Sequence, residues 1–136
     1  MKPRILLAEN NTIDHFIICK MLKQLGCHVD RVENGFLAVD AIRQTTYDMV
    51  FVSRDLPLLD GLETITLIRE LPQGQDLPIV VFLEENHVED IFACLNVGAS
   101  DFITRPIAGV KFIAILNNWL GRFGPVTPAQ NLAATG

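Results

Sequence analysis

Three apolar runs of the chain and one shorter segment end on residues that can do chemistry. ILLA (5–8) runs into Glu9-Asn10, MVFV (49–52) into Ser53, IVVFL (79–83) closes at Leu83-Glu84, and DFIT (101–104) leads to Arg105-Pro106. Glu9 brings a carboxylate, Asn10 a neutral carbonyl and Ser53 a hydroxyl. Arg105 brings a planar cationic fork that suits a carboxylate taken by two donors. Ser53 is followed by Arg54-Asp55 and a Pro57-Leu58-Leu59-Asp60-Gly61 turn. A serine hydroxyl becomes a nucleophile only beside a base, and no base is evident at these ends. Arg105 is expected to reach across toward Glu9 or Asp55.

The runs themselves say what holds these ends together. Ile5–Ala8, Met49–Val52 and Ile79–Leu83 are apolar on both faces, the pattern of central strands in a parallel sheet covered by helices. His28–Val32 and Asp101–Thr104 read as edge strands. Between them lie helical spacings. Thr12–Leu25 carries Ile13, Phe16, Ile17, Met21 and Leu25, with Gly26 as a left-handed stop. Gly35–Gln44 aligns Phe36, Val39 and Ile42, and Leu62–Leu71 aligns Leu62, Ile65 and Ile68 ahead of Pro72. His87–Val97 follows an Asn86 cap, and a last helix spans about Gly109–Phe123. Five β-α units with right-handed crossovers make a doubly wound, three-layer α/β sandwich on a five-stranded parallel sheet. Ligand sites in such folds lie outside the carboxyl ends of the strands, where Glu9, Ser53, Leu83 and Arg105 fall.

Composition bounds the rest. The 136 residues fit one domain, 49% are hydrophobic, and the net charge is −5. No basic stripe is available for nucleic acid. No stretch approaches the ~20 apolar residues of a membrane span, and no leader is evident, so the expected setting is the cytoplasm. Residues 1–123 read as the domain. The tail 124–136, GPVTPAQNLAATG, reads as a flexible end or linker. Cys19, Cys27 and Cys94 form no CxxC pair, and Cys19 and Cys94 are expected in the core. His15, His28 and His87 stand alone in sequence, and no grouping has metal-ligand spacing. No glycine-rich phosphate loop is present.

Taken together, ILLAENN, ENGFLAVDAI, YDMVFVSRDLPLLDGLETI, LPIVVFL and VGASDFITRPI resemble the receiver domain of two-component response regulators, the CheY-like fold, over about residues 3–122. The resemblance implies the flavodoxin-like strand order 2-1-3-4-5 and a cis peptide before Pro106. It also implies roles. Glu9 and Asn10 stand where the family has an acidic pair for Mg²⁺, and Ser53 stands where it has the aspartate that accepts a phosphoryl group. Leu83 replaces a hydroxyl residue at the mouth of the pocket, Arg105 replaces a lysine, and Phe102 takes the place of a switching aromatic. Of three carboxylates around the ion only Glu9 remains, and Mg²⁺ takes hard oxygen ligands, usually one or two of them carboxylates. Mg²⁺ binding is therefore expected to be weak or absent.

The expected function is that of a non-enzymatic signalling domain, a pseudo-receiver that acts by protein–protein interaction in a two-component pathway. Its partner would be a histidine kinase or another regulator domain. The apolar arc of the last helix is wider than the ~100° that one buried face needs. Ile115 and Trp119 at its margin are expected interface residues, for instance in a homodimer. Two alternatives stand beside this reading. One is a working receiver phosphorylated at Asp55 or Ser53; the other is a flavodoxin-like small-molecule binder.

Overall fold

A computed structural model describes residues 2–84 and 88–121. In chain order the elements are β1 (Arg4–Ala8), α1 (Thr12–Gln24), β2 (His28–Val32), α2 (Gly35–Gln44) and β3 (Met49–Ser53). They continue with α3 (Gly61–Glu70), a 3-10 turn (Pro72–Gly74), β4 (Ile79–Leu83), α4 (Val88–Asn96), β5 (Asp101–Thr104) and α5 (Gly109–Leu120). The five strands are all parallel, in the order β2-β1-β3-β4-β5. The Asn86 cap and the tail 124–136 lie outside the described residues.

Strand alternation splits the core in two. Leu6, Ala8, Val50, Val52, Ile79, Val81 and Leu83 face the α2, α3 and α4 side, where Val39, Ile42, Ile65, Ile68 and Cys94 meet them. Ile5, Leu7, Met49, Phe51, Val80 and Phe82 face the other way, onto Ile18, Met21 and Leu22 of α1 and Phe112 and Leu116 of α5. Phe51 stacks between Phe82 and Phe112, with ring centroids 5.5 and 5.0 Å away. Each fully buried Phe or Leu side chain removes enough apolar surface to contribute about 1.5–3 kcal/mol. Both faces of the central strands are covered, so those strands read as unbroken apolar runs.

Local chemistry sets the helix ends. Asn11 and Asn34 accept the backbone N–H groups of Asp14 and Leu37, each at 2.9 Å, as N-cap side chains do. Asp60 and Glu63 form a reciprocal capping box on α3. Gly26, Gly98 and Gly121 take φ values of +85°, +112° and +65° just past α1, α4 and α5.

Three expectations change. In α1 it is Ile18, Met21 and Leu22 that are buried, while Ile13, Phe16 and Ile17 are 71%, 67% and 43% exposed. Met21 and Leu25 of the expected stripe do pack on the core, but the helix carries apolar residues on both faces, and spacing alone placed Ile13, Phe16 and Ile17 on the wrong one. Phe36 of α2 is likewise exposed, and Ala38 beside Val39 and Ile42 faces the core. α5 stops at Leu120, because Gly121 in the left-handed region hands its N–H back to Asn117 O at 2.8 Å.

Gly35 opens α2 against α3. A Cβ there would strike the Thr64 hydroxyl and the Leu59 carbonyl oxygen, and Thr64 already donates to Asp60 O at 2.7 Å. Gly35→Ala is expected to lower stability by about 1–3 kcal/mol, the usual cost of overpacking. The check is a lower urea midpoint with an unchanged slope.

Candidate functional site

The carboxyl ends of β1, β3, β4 and β5 converge on a cleft of about 280 Å³, lined by Glu9, Asn10, Asp14, Ser53, Asp55, Glu84 and Arg105, with the Asn11 turn at its edge. Its position follows from topology. β1 is the sheet's middle-left strand, α1 leaves it across one face and β3 pairs on its other side, so residues that follow the strands meet outside the sheet edge.

Arg105 occupies the centre. Its backbone N–H donates to Leu83 O at 2.8 Å, which ties the end of β5 to the end of β4, and the Arg105-Pro106 peptide is cis. The side chain then turns back over the sheet. Nε donates to Asp14 Oδ2 at 2.7 Å and Nη2 to Glu9 Oε2 at 2.7 Å. Nη2 also lies 3.5 Å from Ser53 Oγ, and Nη1 lies 3.9 Å from Glu84 Oε1. The guanidinium carbon stands 5.5 Å from the centre of the Phe82 ring, within cation–π range.

Glu9 is almost fully buried. Its Oε1 accepts the Asn11 N–H at 3.0 Å, and its backbone carbonyl accepts from Arg31 Nε at 3.3 Å. Burial pushes its carboxyl above the ordinary range, and the Asn11 N–H and the Arg105 charge oppose that shift. Burial alone would lower Arg105, but the hydrogen bond to Asp14 and the Glu9 charge hold it above its ordinary value. The pair is thus a buried, charge-assisted contact, in which each ion depends on the other.

Ser53, the last residue of β3, is buried, and its Oγ accepts the Asp55 N–H at 3.4 Å. Among the described residues, the contacts on Ser53 Oγ are thus a backbone donor and a cation. Asp55 is exposed on the rim and Asn10 is exposed at the β1 end. Mg²⁺ favours near-octahedral hard oxygens. Here one carboxylate oxygen of Glu9 is taken by a guanidinium, the other by a backbone N–H, and position 53 offers a hydroxyl. The carboxylates of Asp14, Asp55 and Glu84 also line the cleft, that of Asp14 engaged by Arg105 Nε.

Most of the residues singled out in the sequence do meet here: Glu9, Asn10, Ser53, Asp55 and Arg105. Arg105 reaches Glu9 as expected, but its second carboxylate is Asp14, not Asp55. Asp14 was missed as a partner; its signal was an acid in the first turn of a helix that starts just after Glu9. Leu83 is a correction. It is fully buried in the core on the α2–α4 side and does not line the cleft. Alternation along β4 sends 79, 81 and 83 to that face and puts Phe82 under Arg105. Phe102 is half-buried against the same core cluster. Ile115 is half-buried against the α1–α5 core, while Trp119 is partly exposed and donates Nε1–H to Asp101 Oδ2 at 3.1 Å.

The family model for the response regulator receiver domain matches residues 5–117. The chain belongs to that family. Among curated relatives it is 29% identical over 122 residues to the sensor histidine kinase GacS of Pseudomonas protegens, covering 88% of this chain and 13% of the kinase. The chain thus spans only a small part of that relative's length. Among solved structures, it is 31% identical to the receiver domain of sensor histidine kinase PA1611 from Pseudomonas aeruginosa, crystallised with a magnesium ion in its active-site cleft. The TM-score is 0.83, and the match covers 89% of this chain and 99% of that one. The fold is also that of the receiver domain of the Saccharomyces cerevisiae response regulator Ssk1, crystallised with the histidine phosphotransfer protein Ypd1. There the TM-score is 0.81 at 23% identity, with 87% and 88% of the two chains covered.

Arg105→Ala strands the buried Glu9 charge, so it is expected to destabilise the fold by about 3–5 kcal/mol at neutral pH. Glu9 has a folded-state pKa above its unfolded value of 4.5. Its favourable contribution is therefore complete below the unfolded pKa and is lost as pH rises through the folded one. Removing Arg105 raises the folded pKa further. The deficit of Arg105→Ala relative to wild type should therefore shrink as pH falls toward 4.5 and grow above it, as read from urea unfolding across pH.

Proposed function

We propose that this receiver domain is a pseudo-receiver, one that takes no phosphoryl group at the end of β3 and acts through protein contact alone. The observation that carries this is the Arg105 guanidinium seated on Glu9 Oε2, with Nη2 facing Ser53 Oγ. Phosphoryl transfer is largely positioning and charge neutralisation around a metal ion. In this chain a tethered cation already neutralises the one remaining acid of the family pair. Ser53 adds no carboxylate, and Leu83, turned into the core, adds no hydroxyl. The relative from Pseudomonas aeruginosa holds magnesium in its cleft; the residues here favour an internal arginine in its stead.

The surface supports the second half of the reading. Ile13, Phe16 and Ile17 lie at i, i+3 and i+4 on the solvent side of α1, and three and four residues along a helix are neighbours on its surface. Exposed contiguous apolar side chains mark interaction sites. The strip begins one residue before Asp14, at the edge of the cleft. A histidine kinase, a phosphotransfer protein or another regulator domain is the partner class that membership of the family favours, and Ssk1 is crystallised with such a phosphotransfer protein. Trp119 gives a second, smaller exposed apolar point on α5 for a homodimer.

A competing reading is suggested by Asp55, whose exposed side chain lines the cleft and would serve as an unorthodox acceptor. Incubation with acetyl phosphate and Mg²⁺, read by intact mass, separates the two. No adduct is expected. A phosphoryl adduct on wild type, either labile and lost in Asp55→Asn or stable and lost in Ser53→Ala, would overturn the pseudo-receiver reading. The double variant Ser53→Asp with Arg105→Lys, which restores a second carboxylate and removes the fork, is expected to bind Mg²⁺ at least about tenfold more tightly than wild type.

A further inference from the structure

On the flank of α1 away from the cleft, Cys19 Sγ lies 3.3 Å from His15 Nδ1. The two residues are one turn apart, at i and i+4. Cys19 was expected in the core, yet it is only half-buried, whereas Cys27 and Cys94 are 3% and 0% exposed and none of the three is in a disulfide. The pair opens on a groove of about 490 Å³, whose lining includes Phe16 and the ammonium-bearing Lys20 and Lys23. That volume suits a small ligand. The groove's charge is positive although the chain as a whole is acidic.

We propose that Cys19 is a thiol-modification site that forms a mixed disulfide with a small anionic disulfide of the glutathione kind, with His15 as the proton acceptor. An adjacent base is one way to activate a thiol as a nucleophile, and the imidazole is in place. Burial, with the charges of Arg31 and Lys23, lowers His15 below its ordinary value, so the ring is neutral near pH 7 and Nδ1 can accept. Burial raises the Cys19 thiol, against the pull of Lys23 and Arg31. The resting pair is therefore a thiol on a neutral imidazole, and the base matters more than a preformed thiolate.

The step balances without another oxidant. The Sγ proton passes to His15 Nδ1, and Sγ attacks one sulfur of the incoming disulfide. The new S–S bond forms as the old one breaks, and the departing thiolate takes the proton from His15. Cys19 sulfur is oxidised and the leaving sulfur reduced. Lys20 and Lys23 supply the charge that selects an anionic reagent. The adduct would sit one turn from Phe16, beside the exposed apolar strip of α1.

The test treats the full chain with glutathione disulfide and, in parallel, with the cationic disulfide cystamine, and locates adducts by peptide mass mapping over time. The expected result is one adduct, on Cys19, formed faster with the anionic reagent. His15→Ala, checked for folding by circular dichroism, should slow it about a hundredfold, at the low end of what a positioned proton acceptor contributes. Lys20→Glu with Lys23→Glu should invert the reagent preference. Modification of Cys27 or Cys94 at an equal or greater rate, an unchanged rate in folded His15→Ala, or no adduct at all would overturn the proposal. None of these outcomes depends on whether the cleft takes phosphate.

Discussion

The contact between the Arg105 guanidinium and the Glu9 and Asp14 carboxylates organises the cleft. It joins three elements that no ladder hydrogen bond connects directly: the end of β5, the end of β1 and the first turn of α1. A buried carboxylate alone is costly, and so is a buried guanidinium; together, with Asn11 N–H on the free oxygen of Glu9, both are satisfied. The platform beneath them is the Phe82 ring, itself packed on Phe51. The charge arrangement of the cleft thus depends on the aromatic stack in the core.

A cleft held this way differs in kind from one awaiting a mobile ion. A bound divalent cation can leave, and its departure changes the charge the cleft presents. A cation on a side chain stays at fixed local concentration. On the reading proposed above, what communicates with other molecules is the surface, and α1 carries an exposed apolar face. Its inner face supplies Ile18, Met21 and Leu22 to the core, its outer face carries Ile13, Phe16 and Ile17, its first turn feeds Asp14 to the cleft, and its flank carries the His15–Cys19 pair. One helix of 13 residues thus contributes to the core, the cleft and the exposed surface.

Much of the architecture was readable in the residues. Unbroken apolar runs marked β3 and β4, and alternation marked β2 as an edge. Glycines placed the ends of α1 and α4, and ordered motifs placed the family together with its cis-proline. These signals are local: each rests on residues within one turn or one strand of each other, where steric and capping rules act directly. The meeting of Glu9, Asn10, Ser53 and Arg105 followed as well, because a parallel sheet gathers the carboxyl ends of its strands by topology.

What only the tertiary structure decided was direction and partnership. Helical spacing could not say which of the two apolar stripes of α1 faces inward, because both satisfy the same period and only the sheet breaks the tie. Strand periodicity could not say that Leu83 turns from the cleft while Phe82 floors it, since register decides that. Asp14 and Arg105 stand 91 residues apart, and their contact depends on where β5 ends above α1. Sequence encodes the local conformations and the chemical types at hand. Long-range packing selects which of those types touch, and in this chain that selection places an arginine on the acids of the cleft.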